Sequence, residues 1–185
     1  MLDELETPRL RMRPMDAFDF DALYAMFSNP EVMRYYPGMK DQSLTQSWLD
    51  WMLDMYERYG HGLFAVEQKS DGQFVGQAGL IIQNVGDEAL PEVGYIYLPS
   101  AWGKGYATET SIAWRDRAFD HFRYQRIISL ISPRNAAAIN VAKRVGMSLE
   151  REIVKWEVPI GMYSLSVAHR PPAGLHAQMS APSAP

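Results

Sequence analysis

The 185-residue chain has no cysteine. That excludes a thiol nucleophile, a thiolate metal site, an iron–sulfur cluster and any disulfide framework. Four histidines, at 61, 121, 169 and 176, lack metal-ligand spacing, so no metal is expected. Long apolar runs are missing as well. Leu80–Ile82 and Ile127–Ile128 fall far short of the roughly 20 residues that a spanning helix needs. Nor is there an excess of basic charge, since 18 Lys and Arg stand against 22 Asp and Glu for a net −4. That balance disfavours a protein that grips nucleic acid by neutralising phosphates. Met1–Glu6 is acidic and carries no leader pattern. The expectation is a cytoplasmic protein, monomer or homodimer, with neither nucleic acid nor membrane as partner.

What is present fits one globular domain: 47% hydrophobic, 22% charged and 12% aromatic residues. The domain is expected over 1–169, followed by a Pro/Ala/Ser-rich tail over 170–185. Arg9, Arg11 and Arg13 alternate with Leu10 and Met12, the period of a half-buried strand. Asp16 is placed to cap a helix carrying Phe20, Leu23, Tyr24 and Phe27, which Asn29-Pro30 stops. Leu44, Trp48, Trp51, Met52, Met55 and Tyr59 form a second helical stripe between Asp41 or Ser43 and Gly60. Leu63–Glu67, Phe74–Ile82 and Glu92–Leu98 read as an antiparallel meander with turns at Ser70-Asp71-Gly72 and Gly86-Asp87. Gly76, Gly79 and Gly94 inside these strands point to bulges or close backbone approaches. Beyond Pro99 come a helix over Thr108–Phe122, with Ile112, Arg115/Ala118, Phe119 and Phe122 on one face, and a strand over Gln125–Ile131. A helix from Asn135 to Val145 closed by Gly146, and strands near Leu149–Glu157 and Ile160–Ala168, complete the chain. The expected fold is α+β, with a mixed, mostly antiparallel sheet of about seven strands and four flanking helices.

The most informative stretch is Leu98–Glu109, which joins a strand to a helix and sets Gly103 and Gly105 just before the helix N-terminus. Amides at such an end lack helical partners, the helix dipole makes the end electropositive, and glycines let the backbone close around a phosphate. An acidic protein can hold a polyanion in this way. Two nucleotide patterns fail on spacing. Gly105 follows Lys104 where a P-loop needs Ser or Thr, and Thr108 stands where the dinucleotide fingerprint needs its third glycine. A glycine turn without ligand is the other reading of the loop.

Trp102-Gly103-Lys104-Gly105-Tyr106-Ala107 resembles the cofactor loop of the GNAT superfamily of acyl-CoA-dependent N-acetyltransferases, Gln/Arg-x-x-Gly-x-Gly/Ala, except at its first residue. Trp102–Glu109 as a whole is similar to the Rim-type branch that acetylates ribosomal-protein N-termini. The likeness extends over Thr7-Pro8-Arg9-Leu10, Asn29–Tyr35, Glu92-Val93-Gly94-Tyr95, Asn135 and Lys143–Met147, in collinear order.

The resemblance implies an enzyme that moves the acetyl group of acetyl-CoA to a primary amine, of a peptide or a small molecule, by direct attack in a ternary complex. It implies that the backbone of Tyr95, Ile96, Tyr97 and Leu98 pairs with the pantetheine arm in a slot opened by splaying from Gln125–Ile131. A main-chain N–H near Ile96 would face the thioester oxygen. Trp102, Gly103, Lys104, Gly105, Tyr106, Ala107 and Thr108 would take the pyrophosphate, and Asn135 the arm, with Asn140, Lys143 and Arg144 as further candidates on the same helix. Glu92 would be the general base, and Arg34, Tyr35 and Tyr36 would wall the acceptor. The hydroxyl that many members use to protonate the departing thiolate is missing, because Ala142 and Ala138 stand at the positions of the family's tyrosine and serine. Water, Tyr163 or Tyr97 could supply that proton. The alternative is a non-catalytic acyl-CoA-binding or sensor module.

Overall fold

The computed structural model describes residues 2–172. Its strands are β1 (Leu5–Glu6), β2 (Leu10–Arg13), β3 (Leu63–Gln68), β4 (Phe74–Val85), β5 (Glu88–Tyr97), β6 (Arg126–Ile131), β7 (Ser148–Lys155) and β8 (Val158–Ser166). The helices are α1 (Phe20–Phe27), α2 (Gln42–Tyr59), α3 (Tyr106–Asp120) and α4 (Ala136–Val145). All strands join one eight-stranded sheet in the order β1-β2-β3-β4-β5-β6-β8-β7, one strand more than expected because of the two-residue β1. Every pairing is antiparallel except β5 with β6. The fold class is therefore the anticipated mixed α+β arrangement.

Local chemistry accounts for the element ends. Asp16 caps a short 3-10 turn, Ala17–Asp19, through a reciprocal capping box before α1 begins. Asp41 accepts from the Leu44 amide to start α2, and left-handed Gly60 and Gly146 end α2 and α4. The α2 stripe is rotated by about one position from expectation, since Thr45, Leu49, Met52, Met55 and Tyr56 are buried while Leu44 and Tyr59 are exposed. In α3 the buried side chains are Tyr106, Thr110, Ser111, Trp114, Arg115, Ala118 and Phe119. Arg115, Ala118 and Phe119 are buried as expected, the Arg115 guanidinium donating to Val145 O at 2.9 Å, while Trp114 is buried in place of the half-buried Ile112 and Phe122. The β4–β5 hairpin is longer at both arms than expected, closing on Gly86-Asp87.

Two glycines matter for packing. An added Cβ at Gly76 would lie 2.2 Å from Ile96 O, and one at Gly79 would lie 2.0 Å from Gly62 O. Only hydrogen fits there, because the obstructing atoms are backbone. The tail begins later than expected. Arg170 forms an ion pair with Asp120 at 2.6 Å, and Pro171 packs against Gly146; positions 173–185 lie outside the described residues.

Opposite faces of the sheet carry different helices. Trp48 on α2 donates to Gln77 on β4 at 3.1 Å, whereas the Tyr97 hydroxyl on β5 meets Thr110 on α3 at 2.7 Å. Gln77 pairs with Ile96, next to Tyr97, and neighbouring residues of a strand point to opposite faces. Hence α2, with α1 packed on it through Phe27 and Trp48, covers one face, while α3 and α4 cover the other. Among the described residues no helix is long and apolar enough to cross a membrane.

Candidate active site

The sheet opens at its one parallel junction. Glu92 and Ile128 are the single register pair between β5 and β6. Beyond it, Ser129 Oγ donates to Val93 O at 2.7 Å, and the strands then part. Towards Tyr97, β5 is thus paired with β4 alone and presents a free edge to the gap.

Which amides face that gap follows from the antiparallel alternation. Leu98 N donates to Val75 O at 2.9 Å, so the polar groups of Ile96, two residues earlier, also point to β4. Tyr95 and Tyr97 point into the gap. Their carbonyls confirm the direction: Tyr95 O accepts from the Tyr36 hydroxyl at 3.4 Å, and Tyr97 O accepts from Trp102 Nε1 at 2.9 Å. Near Ile96 the gap-facing amides are accordingly those of Tyr95 and Tyr97, while those of Ile96 and Leu98 turn to β4.

Glu92 lies where the strands diverge. It is 8% exposed, and its Oε1 accepts from Leu130 N at 2.9 Å, a bond made where the strands no longer pair. Burial pushes its carboxyl up to about 7, with the Leu130 amide, the Gln83 side chain and the Lys155 charge partly offsetting that rise. Glu92 shares a face with its parallel partner Ile128, away from α4. Tyr36 reaches the same region from the α1–α2 loop. Its hydroxyl is held protonated, first by desolvation and second by the neighbouring Glu92 charge, although the residue keeps 41% of its surface exposed. Arg34 is exposed and Tyr35 half-buried beside it, with the Arg34 guanidinium 5.8 Å from the Tyr35 ring centre. Lys155, near the tip of the β7–β8 hairpin, reaches over to Asn84 O at 2.7 Å, and Trp156 beside it has a left-handed φ of 51°. Lys155 was not legible as part of the site, because only the folded hairpin brings its charge towards Glu92.

At the end of β5, a 3-10 turn over Pro99–Ala101 leads into the glycine loop. Gly103 and Gly105 have φ of 74° and 80°, and Gly105 is the N-cap of α3 without any side-chain cap. The first intrahelical bond is Glu109 N to Gly105 O at 3.0 Å. Among the described residues the amides of Gly103, Lys104, Gly105, Tyr106, Ala107 and Thr108 have no acceptor, and the space above Gly103 is open. Arg9 braces this loop from β2's threshold. Its Nη1 donates to Lys104 O at 2.8 Å, its Nε to Glu109 at 2.7 Å, and its guanidinium lies 4.7 Å from the Tyr106 ring centre. Arg9 looked like one of three solvent-facing strand arginines, and no sequence signal linked it to residues a hundred positions away.

The α4 candidates divide. Asn135 uses its carboxamide oxygen to cap Ala138 N at 3.1 Å, which leaves its NH2 group for a ligand. Asn140, Lys143 and Arg144 are exposed along the helix. Of the histidines, His61 is structural, bridging Leu80 O and the Tyr124 hydroxyl inside the core. Among the described residues no group of His, Asp and Glu could hold a metal ion.

Residues 9–148 match the family described as acetyltransferase (GNAT) domain. The chain belongs to the GNAT acetyltransferases. This GNAT protein is 37% identical over 161 residues to the uncharacterized protein YkkB of Bacillus subtilis (strain 168), covering 86% of this chain and 94% of that one. It is 25% identical over 150 residues to the spermidine N(1)-acetyltransferase of Escherichia coli (strain K12), covering 78% and 76%. The acetyltransferase from Agrobacterium tumefaciens str. C58 superposes with a TM-score of 0.80 at 27% identity, over 89% of this chain and 95% of that one. The GNAT domain makes the protein an acetyl-CoA-dependent acyltransferase, and the chain has the features such a substrate needs. Six free amides suit a diphosphate, and the β5 edge suits a slender amide-bearing chain.

Proposed function

We propose that the protein is an N-acetyltransferase in which a primary amine attacks the acetyl carbonyl directly, with Glu92 as the general base. The observation that carries this reading is the buried carboxylate at the point where β5 and β6 part. A carboxylate of ordinary pKa is a poor base for an amine, whose own pKa is about 8 for a peptide N-terminus and about 10.4 for a lysine-like group. Raised to about 7, Glu92 comes close enough to the first of these to take a proton near neutrality.

The remaining roles follow the same geometry. Free amides from Gly103 to Thr108 hold the diphosphate, while Tyr95 and Tyr97 offer main-chain groups to the arm, and the Asn135 NH2 adds a donor from α4. Of the seam-facing amides, that of Tyr95 is nearer to Glu92 and serves as the oxyanion donor. The acceptor approaches on the Glu92 face, between Tyr36 with Arg34 and Tyr35 on one side and the β7–β8 hairpin on the other. The resemblance of Trp102–Glu109 to the Rim-type branch favours a peptide N-terminus as acceptor, and the relative named for spermidine favours a small amine. Both are primary amines, and both reach Glu92 by the same approach.

The test is release of free thiol from acetyl-CoA with a panel of N-terminal peptides and small amines. Glu92→Gln should lower kcat/KM by about 100-fold or more and erase the inflection near pH 7. Full activity of this variant across pH would remove Glu92 from the mechanism. Stabilisation by acetyl-CoA with no turnover on any amine would favour the sensor alternative.

A further inference from the structure

The carbonyls that β5 turns into the gap already hold donors. Tyr95 O accepts from the Tyr36 hydroxyl at 3.4 Å, and Tyr97 O from Trp102 Nε1 at 2.9 Å. Both donors are side chains from outside the sheet, Tyr36 from the α1–α2 loop and Trp102 from the glycine loop. We propose that Tyr36 is a latch, whose hydroxyl fills the acyl end of the gap in the empty protein and yields it to the arm of acetyl-CoA. This inference rests on the transferase reading above and names how that site is regulated.

The register puts the hydroxyl at the reacting end of the gap. Val93 O is taken by Ser129 Oγ, so Tyr95 is the next residue along β5 whose peptide groups face the gap. An amide-bearing arm laid along β5 needs carbonyls of that edge as acceptors, and the inner one is the one Tyr36 holds. The phenol also lies near enough to Glu92 to feel its charge. Tyr95 and Glu92 are the groups assigned above to the oxyanion and to the amine. A hydroxyl bonded to one and close to the other stands where thioester and amine have to meet, so the two occupancies exclude each other.

Of the two donors, Tyr36 is the one placed to leave. Its bond of 3.4 Å is long for two oxygens, whose usual separation is about 2.7–2.8 Å, whereas 2.9 Å is ordinary for the indole N–H. The chain that carries Tyr36 packs against little. Positions 34–39 are exposed apart from half-buried Tyr35, and a Cβ on Gly38 would meet nothing within 4 Å. Firm anchors lie at either end: Met33 is 4% exposed, and Lys40 N donates to Phe27 O at 3.1 Å. The segment between them can swing without disturbing α1 or α2. When it does, Arg34 and Tyr35 travel with Tyr36, so seating the arm resets the wall against which the acceptor lies.

Tyr36→Phe removes the hydroxyl and keeps the ring. By calorimetry without amine, the variant should bind acetyl-CoA about 2–10-fold more tightly than the unaltered protein, the worth of one neutral hydrogen bond no longer broken on binding. ADP keeps the diphosphate and lacks the arm, so its affinity should be the same in both proteins. Fluorotyrosine placed at position 36 gives a second readout in a protein that keeps the hydroxyl. Its fluorine resonance should shift with acetyl-CoA and stay in place with ADP. Acetyl-CoA affinity that is unchanged or weaker in Tyr36→Phe overturns the latch, as does an equal gain for ADP or a fluorine resonance that acetyl-CoA leaves unmoved. Failure of the underlying reading is distinguishable, because the unaltered protein then shows no binding of acetyl-CoA at all, and the latch falls with it.

Discussion

Replacing Glu92 by Gln should stabilise the protein at neutral and alkaline pH. The carboxyl titrates near 4.5 when the chain is unfolded and at about 7 when folded. Between those values the folded state holds a proton that the unfolded state has lost, so stability falls as pH rises through the window and levels off above it. At about 1.4 kcal/mol per pH unit, a rise of this size corresponds to about 3 kcal/mol. Glu92 is nearly fully buried, so little of that is screened by solvent. Gln keeps an oxygen for the Leu130 amide but never ionises, so it escapes the decline. For a chain of this length about 3 kcal/mol moves Tm by about 6–12 °C. Thermal unfolding of both proteins from pH 4 to 9 is the assay, and subtraction removes every titration the two share. The Gln variant should gain on the parent between pH 4.5 and 7 and keep a constant lead above that. Parallel curves, or a parent that gains with pH, would refute both the raised pKa and the basis for Glu92 as base.

Gly105→Glu should abolish the Tm increase caused by acetyl-CoA, because it sets a carboxylate and a strained left-handed residue among the amides that hold the diphosphate; an unaltered increase would remove the loop from the site. Arg9→Met should weaken acetyl-CoA binding by about 5–10-fold by calorimetry while changing stability by less than about 1 kcal/mol, since the Arg9–Glu109 pair is largely exposed on the arginine side but also fixes Lys104 O; undiminished affinity would make the brace irrelevant. Gly79→Ala should destabilise by about 3 kcal/mol in urea unfolding, because the added methyl meets Gly62 O and Leu63 Cα, and neither can rotate away; a loss below about 1 kcal/mol would show that the two strands can separate there cheaply.

Much of the fold was legible because its ends are written in local chemistry. Asp41, Gly60, Asn135 and Gly146 bound their helices as short-range capping rules require, and Gly86-Asp87 closes the hairpin it suggested. The errors lie where tertiary packing decides. Leu44 and Tyr59 satisfy a helical stripe, yet α2 turns Thr45 and Leu49 inward, a rotation that packing on the sheet decides. Arg115 lies on the helical face expected for it, but its bond to Val145 O, which ties α3 to the end of α4, depends on packing that no local pattern shows. In the site, the glycine loop was visible because a helix N-terminus places it locally, whereas Glu92 was reached through the family resemblance. Arg9 and Lys155 arrive from distant segments, and only pairing brings them near. The sequence placed the gap-facing amide only near Ile96, since a one-residue change in strand phase exchanges which edge a peptide group faces, and the register puts it at Tyr95 and Tyr97.

The lone register pair at Glu92 and Ile128 has a further consequence. An unpaired strand edge on an outer surface invites other polypeptides, but here the two edges without a strand partner face each other across the gap. On the proposed reading, an unbranched amide-bearing chain lies between them and supplies rungs that the ladder lacks. Amide hydrogens of Tyr95 and Tyr97 should accordingly exchange quickly in the empty protein and slow when acetyl-CoA is added.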